Sequence, residues 1–276
     1  MAKQTTELVK HEPEAEMTFL EHLEALRWHI IRSLAAIALF AIVMFLSKEF
    51  VFDRVIFGPK YDDFPTYRLF CAFISGMCEP PVFDVITITI EEKFLTHLKV
   101  SIILGLVVAF PYVFWEIWSF IKPGLYPKER KAARGVVWVC SGLFLMGVMF
   151  GFFIIAPFAL KFLSGYEIAT TRSTVTLSSY VSSITFYTLP AGIVFELPVV
   201  VYFLTKVGLI TPDFMRQYRR MAVIVILILS AIITPPDVTS QFLIGIPLYV
   251  LYEISILISK RVVAAQKAEE AKEENS

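Results

Sequence analysis

Apolar residues in this chain gather into long blocks separated by shorter polar stretches. The blocks cover about residues 30–46, 94–120, 135–158, 184–204, 221–233 and 242–258. About 20 helical residues cross a hydrocarbon core of about 30 Å. The pattern therefore predicts six transmembrane helices, the last two of them short, with 13 and 17 residues. Thirteen residues cover only about 20 Å, so the surrounding bilayer must thin or a partner must shield the gap. Ahead of the first block, Thr18-Phe19-Leu20-Glu21 matches a capping box, which satisfies free N–H groups at a helix start. Leu20, Leu23, Leu26, Ile30 and Ile31 then form one stripe, as in a helix lying along the membrane surface that turns or runs straight into the first span. Residues 48–92 are polar, aromatic and Pro-rich, too long for a plain turn and expected to carry short helical pieces. Pro111 interrupts the second block, Pro157 closes the third and Pro247 lies in the last. The expected division is a mobile tail at 1–16, a six-span membrane domain at 17–261, and a charged tail at 262–276 that is disordered or a frayed helix.

Composition agrees with a polytopic helical membrane protein: 57% of residues are hydrophobic and the mean hydropathy is +0.68, outside the range of soluble domains. No cleavable signal peptide is expected, because residues 1–16 are polar and the first apolar run continues into a full span. Net charge is zero, but lysine and arginine are unevenly placed. The amino end through Arg32 has four, the 119–134 loop five, the 206–220 loop four and the carboxyl tail four; the opposite side has four in 48–92 and two in 159–182. That asymmetry places both termini in the cytoplasm. Cys71 and Cys78 then fall in an outer loop, where they are either a disulfide or two thiols. Cys140 lies within the third span and reads as packing.

No H-E-x-x-H, G-x-S-x-G, G-x-G-x-x-G or Walker A pattern occurs, so an enzyme is not expected. No metal site or cofactor is expected either: His22 and His29 are seven apart and read as a polar helix face. The unusual residues are carboxylates. Glu196, in Phe195-Glu196-Leu197-Pro198, lies inside a span, where insertion scales charge roughly 2.5–3.5 kcal/mol for an ionised residue such as Asp at the centre. Pro190 and Pro198 flank it and cannot donate backbone hydrogen bonds, so the helix should bend around the acid. Glu196 is either functional or a protonated carboxyl bonded to a neighbouring helix. Glu129 sits in a basic loop, as a guanidinium ligand or in a loop salt bridge to Lys128 or Arg130. Glu21 and Glu24 lie on the amino-terminal helix; Asp237 and Gln241 follow the short fifth span on the outer side.

His22-Leu23-Glu24-Ala25-Leu26-Arg27, Phe120-x-x-Pro123-x-Leu125-Tyr126-x-x-Glu129-Arg130, Phe195-Glu196-Leu197-Pro198 and Thr234-Pro235-Pro236-Asp237-x-x-Ser240-Gln241 resemble, in order and spacing, the TatC family, the polytopic subunit of the twin-arginine protein translocase. The resemblance spans about residues 19–261. It implies a cupped, glove-like all-α arrangement of six helices in the bacterial cytoplasmic membrane. It also implies a receptor for folded cargo whose signal carries consecutive arginines, working with TatA-type and TatB-type single-span partners and the proton-motive force. Glu129, Glu24, Glu21, Arg27 and Phe120 are the signal-peptide candidates this implies. Glu196 and Pro198 are the candidates for partner contact, and Asp237 with Gln241 for an outer polar site. A homo-oligomer within the complex and contact with membrane lipids are expected, and no nucleic acid.

One departure matters. Many family members have Glu where this chain has Ala25. Glu24 is adjacent but about 100° away around a helix, whereas Glu21 lies one turn back on the same face as Ala25; either is a candidate replacement. The competing readings are a proton-coupled small-solute transporter using Glu196, against which no internal repeat is visible, and a structural assembly subunit in which Glu196 pairs with another helix.

Overall fold

The computed structural model describes residues 19–71, 79–121, 127–165, 174–233 and 238–274, with side chains at 19–21, 127–134, 238–240, 269–270 and 273–274 left out. Helix α1 (Phe19–Leu46) runs straight from the predicted surface segment into the first span. After it come a π-helical turn (Phe50–Ile56), a 3-10 turn (Gly58–Lys60) and α2 (Pro65–Phe70), the short pieces expected of the loop. Helices α3 (Glu92–Ile121) and α4 (Pro127–Phe150) follow. A wide π turn (Gly151–Ile155) joins α4 to α5 (Ala156–Gly165). This turn lies just before Pro157, whose missing N–H a regular ladder cannot accommodate. Next come α6 (Leu177–Val194), α7 (Leu197–Lys206), α8 (Pro212–Gln217), α9 (Arg219–Ile233) and α10 (Val238–Glu274).

Among the described residues, five segments are long and apolar enough to cross a membrane: His22–Leu46, Glu92–Ile121, Gly135–Gly165, Leu177–Lys206 and Gln241–Ala268. The protein is a multi-pass helical membrane protein. The predicted fifth span is α9, whose 15 residues reach only about 22 Å. One departure from the sequence reading stands out. Strands β1 (Asp84–Ile86) and β2 (Thr174–Thr176) pair in parallel, Asp84 opposite Thr174 and Ile86 opposite Thr176. The carboxyl tail, expected as disordered or frayed, continues α10 without a break to Glu274; its run of Ala, Glu, Lys and Gln has high helix propensity.

Helices approach where side chains are small. A Cβ added at Gly105 of α3 would lie 2.6 Å from the Ala41 backbone of α1. At Gly147 and Gly151 it would lie 2.6 Å from the Ala191 and Tyr187 carbonyls of α6. This small-residue stripe, four residues apart, lets α4 and α6 touch backbone to backbone, a packing mode suited to lipid, where no hydrophobic force drives helices together. One core cluster joins Ile155, Ala159, Tyr187, Ala191 and Phe195 to Ile226, Ile244 and Leu248. A second gathers Val51, Ile56, Phe83, Val100, Tyr180 and Ile184 at the other end of α3.

The loop between α1 and α3 is fastened onto α5 and α6. The Tyr180 hydroxyl donates to the Ile56 carbonyl at 2.9 Å and Tyr67 to the Pro59 carbonyl at 2.5 Å. Thr66 donates to the Phe153 carbonyl, and Lys161 to that of Glu79. Burial pushes the Tyr67 phenol well above its usual range. Buried Glu92 accepts from the Ile88 N–H at 2.8 Å and the Ser178 N–H at 2.9 Å. One carboxylate thus ties the start of α3 to the first turn of α6, satisfying an N–H that a helix start leaves free.

Candidate functional site at the ends of α1 and α3

The end of α3 opposite that cap carries the sequence candidate Phe120. Its ring stacks on His22 of α1, with centroids 4.4 Å apart and planes 24° from parallel, and meets the edge of His29 at 6.0 Å. One turn back, Glu116 is 1% exposed and meets His29 Nδ1 at 2.5 Å. The Tyr112 hydroxyl donates to its other oxygen at 2.6 Å. Tyr112, Glu116 and Phe120 are spaced by four and share a face of α3, while His22 and His29, seven apart, share a face of α1. The two histidines share a polar helix face, and that face turns toward α3. The i, i+4 run of Tyr, Glu and Phe, set beside the histidine pair, was the signal available for this cluster.

The remaining candidates divide. Ala25 is half-buried, whereas Glu24 and Arg27 are exposed, so the cluster does not include them. Glu21 belongs to the first turn of α1 and Glu129 to the first turn of α4, where a helix dipole favours a carboxylate; their side chains lie outside the described residues. Asp237 lies outside them as well. Gln241 is placed, and its Nε2 donates to the Leu227 carbonyl at 3.1 Å, tying α10 to α9. Cys71 is disulfide-bonded and Cys140 is free and buried; Cys78 is outside the described residues.

Glu196 occupies the predicted break. Phe195 and Glu196 interrupt the helix between α6 and α7, and buried Pro198 leaves the Val194 carbonyl without its usual donor. Both carboxylate oxygens of Glu196 are buried without a hydrogen-bond partner among the described residues. The Cys140 thiol and the Phe144 backbone of α4 lie beside it, but neither meets normal hydrogen-bond geometry. A buried carboxylate left in this state costs about 1–3 kcal/mol or more, so the position is not optimised for stability.

Comparison with known proteins decides the family. Residues 21–247 match the model of the Sec-independent protein translocase protein TatC. The chain belongs to the TatC family. A TatC from Blattabacterium sp. subsp. Periplaneta americana is 39% identical over 88% of this chain and 95% of its own length. One from Carboxydothermus hydrogenoformans is 38% identical over 88% and 93%. The crystal structure of a twin-arginine translocase receptor, TatC, superposes with a TM-score of 0.66 at 31% identity, covering 88% of this chain and all of that one. A second, in the detergent DDM, gives 0.67. The TatC family is a component of a protein translocase, so this chain is a transport protein of the membrane.

Proposed function

We propose that this chain is the receptor subunit of the twin-arginine translocase in the bacterial inner membrane. It binds signal peptides with consecutive arginines on its cytoplasmic face and, with TatA-type and TatB-type subunits and in several copies, exports folded proteins at the expense of the proton-motive force. The observation that carries the proposal is the Phe120–His22–His29–Glu116 contact. It fixes the amino-terminal segment of α1 against the end of α3, beside the basic loop that leads to Glu129. Guanidinium groups stack on rings and fork onto carboxylate oxygens; in this reading the Phe120 and His22 rings offer the stacking surface, and Glu129 with Glu21 or Glu24 the carboxylates.

In this reading α9 completes six spans, both termini are cytoplasmic, residues 1–16 and 262–276 are cytoplasmic tails around the membrane domain at 17–261, and Cys71 pairs with Cys78 outside. Glu21, or Glu24, supplies the charge that Ala25 lacks, Arg27 borders the site, Glu196 and Pro198 face a partner helix, and Asp237 with Gln241 forms an outer polar site. The test is binding of a synthetic signal peptide to the purified protein, Arg-Arg against Lys-Lys. Arg-Arg should bind more tightly, and Glu129→Ala should weaken it by roughly tenfold, as expected for one charge-assisted contact. Glu21→Gln combined with Glu24→Gln should weaken it further; if that double variant binds as well as the parent, neither residue replaces the missing acid.

A further inference from the structure

At the end of the molecule away from the histidine cluster, the turns that follow α1, the start of α3 and Leu177 line an open cavity of about 630 Å³. Five ionisable side chains line it: Lys48, Glu49, Asp53, Lys93 and His97. Among the described residues, Lys48, Glu49, Asp53 and Lys93 have no ion pair or side-chain hydrogen bond. The His97 ring is held rigidly, stacked on Phe45 at 4.1 Å and 8° and against the edge of Phe52 at 5.6 Å. Its Nε2 is nevertheless buried with no partner among the described residues. Two exposed ammonium groups and two exposed carboxylates thus border one open cavity without pairing with each other, with the His97 ring in its wall.

We propose that this cavity binds the headgroup of a phospholipid bearing a primary amine. The site lies where the apolar stretches of α1 and α3 end, the level at which headgroups sit. Leu46, Phe50, Phe94 and Leu95 beside it are exposed and offer a path for acyl chains. Lys48 and Lys93 supply donors for the phosphate; Glu49 and Asp53 supply acceptors for the ammonium. A phosphoglycerol headgroup brings no cation for the two carboxylates, and phosphocholine brings a cation with no N–H to donate. The proposal rests on the membrane embedding of α1 and α3, not on signal-peptide recognition, so peptide binding is unaffected by its failure.

The test is native mass spectrometry of the full-length protein in detergent, with phosphatidylethanolamine, phosphatidylglycerol and phosphatidylcholine of identical acyl chains at equal concentration. Phosphatidylethanolamine should be retained over the other two by on the order of tenfold, about one charge-assisted contact. Lys48→Gln with Lys93→Gln should lower retention of all three lipids. Glu49→Gln with Asp53→Asn should remove the preference over phosphatidylglycerol while leaving total retention. Equal retention of the three lipids by the parent protein, or a preference for phosphatidylglycerol, would overturn the assignment without recourse to any variant. Displacement by soluble glycerophosphoethanolamine at the same concentration would overturn a lipid as the occupant.

Discussion

Glu116 and Glu196 are both carboxylates inside apolar helices, and their surroundings assign them opposite roles. Glu116 is fully engaged by His29 and Tyr112, so it contributes to holding α1 on α3. Glu116→Ala should destabilise the protein by about 1.5–3 kcal/mol, the range for a lost charged hydrogen bond, and Glu116→Gln by less because Tyr112 keeps an acceptor. Unfolding in mixed micelles measures both. Glu196 has no such partner, and its removal relieves an unsatisfied buried group. Glu196→Leu should therefore unfold no earlier than the parent while export of a folded reporter falls sharply. Near-normal export would take Glu196 out of the mechanism. The bend at Glu196 was legible in the sequence because two prolines bracket it, whereas the Glu116–His29 pair joins positions 87 residues apart that no local pattern connects.

At the scale of elements, the contact of α4 with α6 depends on what Gly147 and Gly151 lack. A valine at Gly147 places its Cβ 2.6 Å from a main-chain carbonyl, an obstruction no rotamer relieves. Gly147→Val should cost at least about 1–3 kcal/mol, the usual range for overpacking. Gly142 in the same helix has nothing within 4 Å of its missing Cβ, so Gly142→Ala should be neutral or stabilise by roughly 0.5–1 kcal/mol. Thermal unfolding of the two variants side by side checks the contrast. The long helices were legible from their apolar blocks. The strands β1 and β2 were not, because three residues each carry too little alternation to register. For the tail of α10 the sequence left disorder and a frayed helix both open, because its charge favours the first and the propensity of Ala, Glu and Lys the second.

Across the whole molecule the helices differ in reach. Glu92–Ile121 has 30 residues, about 45 Å, and α9 has 15, about 22 Å, against a hydrocarbon core of about 30 Å. With α9 as the proposed fifth span, the bilayer beside it thins or is replaced by a partner. In reconstituted vesicles of increasing acyl-chain length, the unfolding midpoint should fall as the membrane thickens. Insertion of four apolar residues after Leu229 should lengthen α9 by about 6 Å and remove most of that dependence. Persistence of the dependence would place the mismatch elsewhere.

The Glu92 clasp has a mechanical consequence. It pins α3 to α6 at one rim, and Tyr180 and Ile56 fasten the neighbouring loop there. A rod held at one end moves most at the other. Over the length of α3, about 45 Å, a tilt of about 5° sweeps the free end through about 4 Å. There Phe120 and Glu116 hold His22 and His29 of α1, so any such tilt carries the amino-terminal part of α1 along and moves the aromatic contact as a unit relative to the pinned rim.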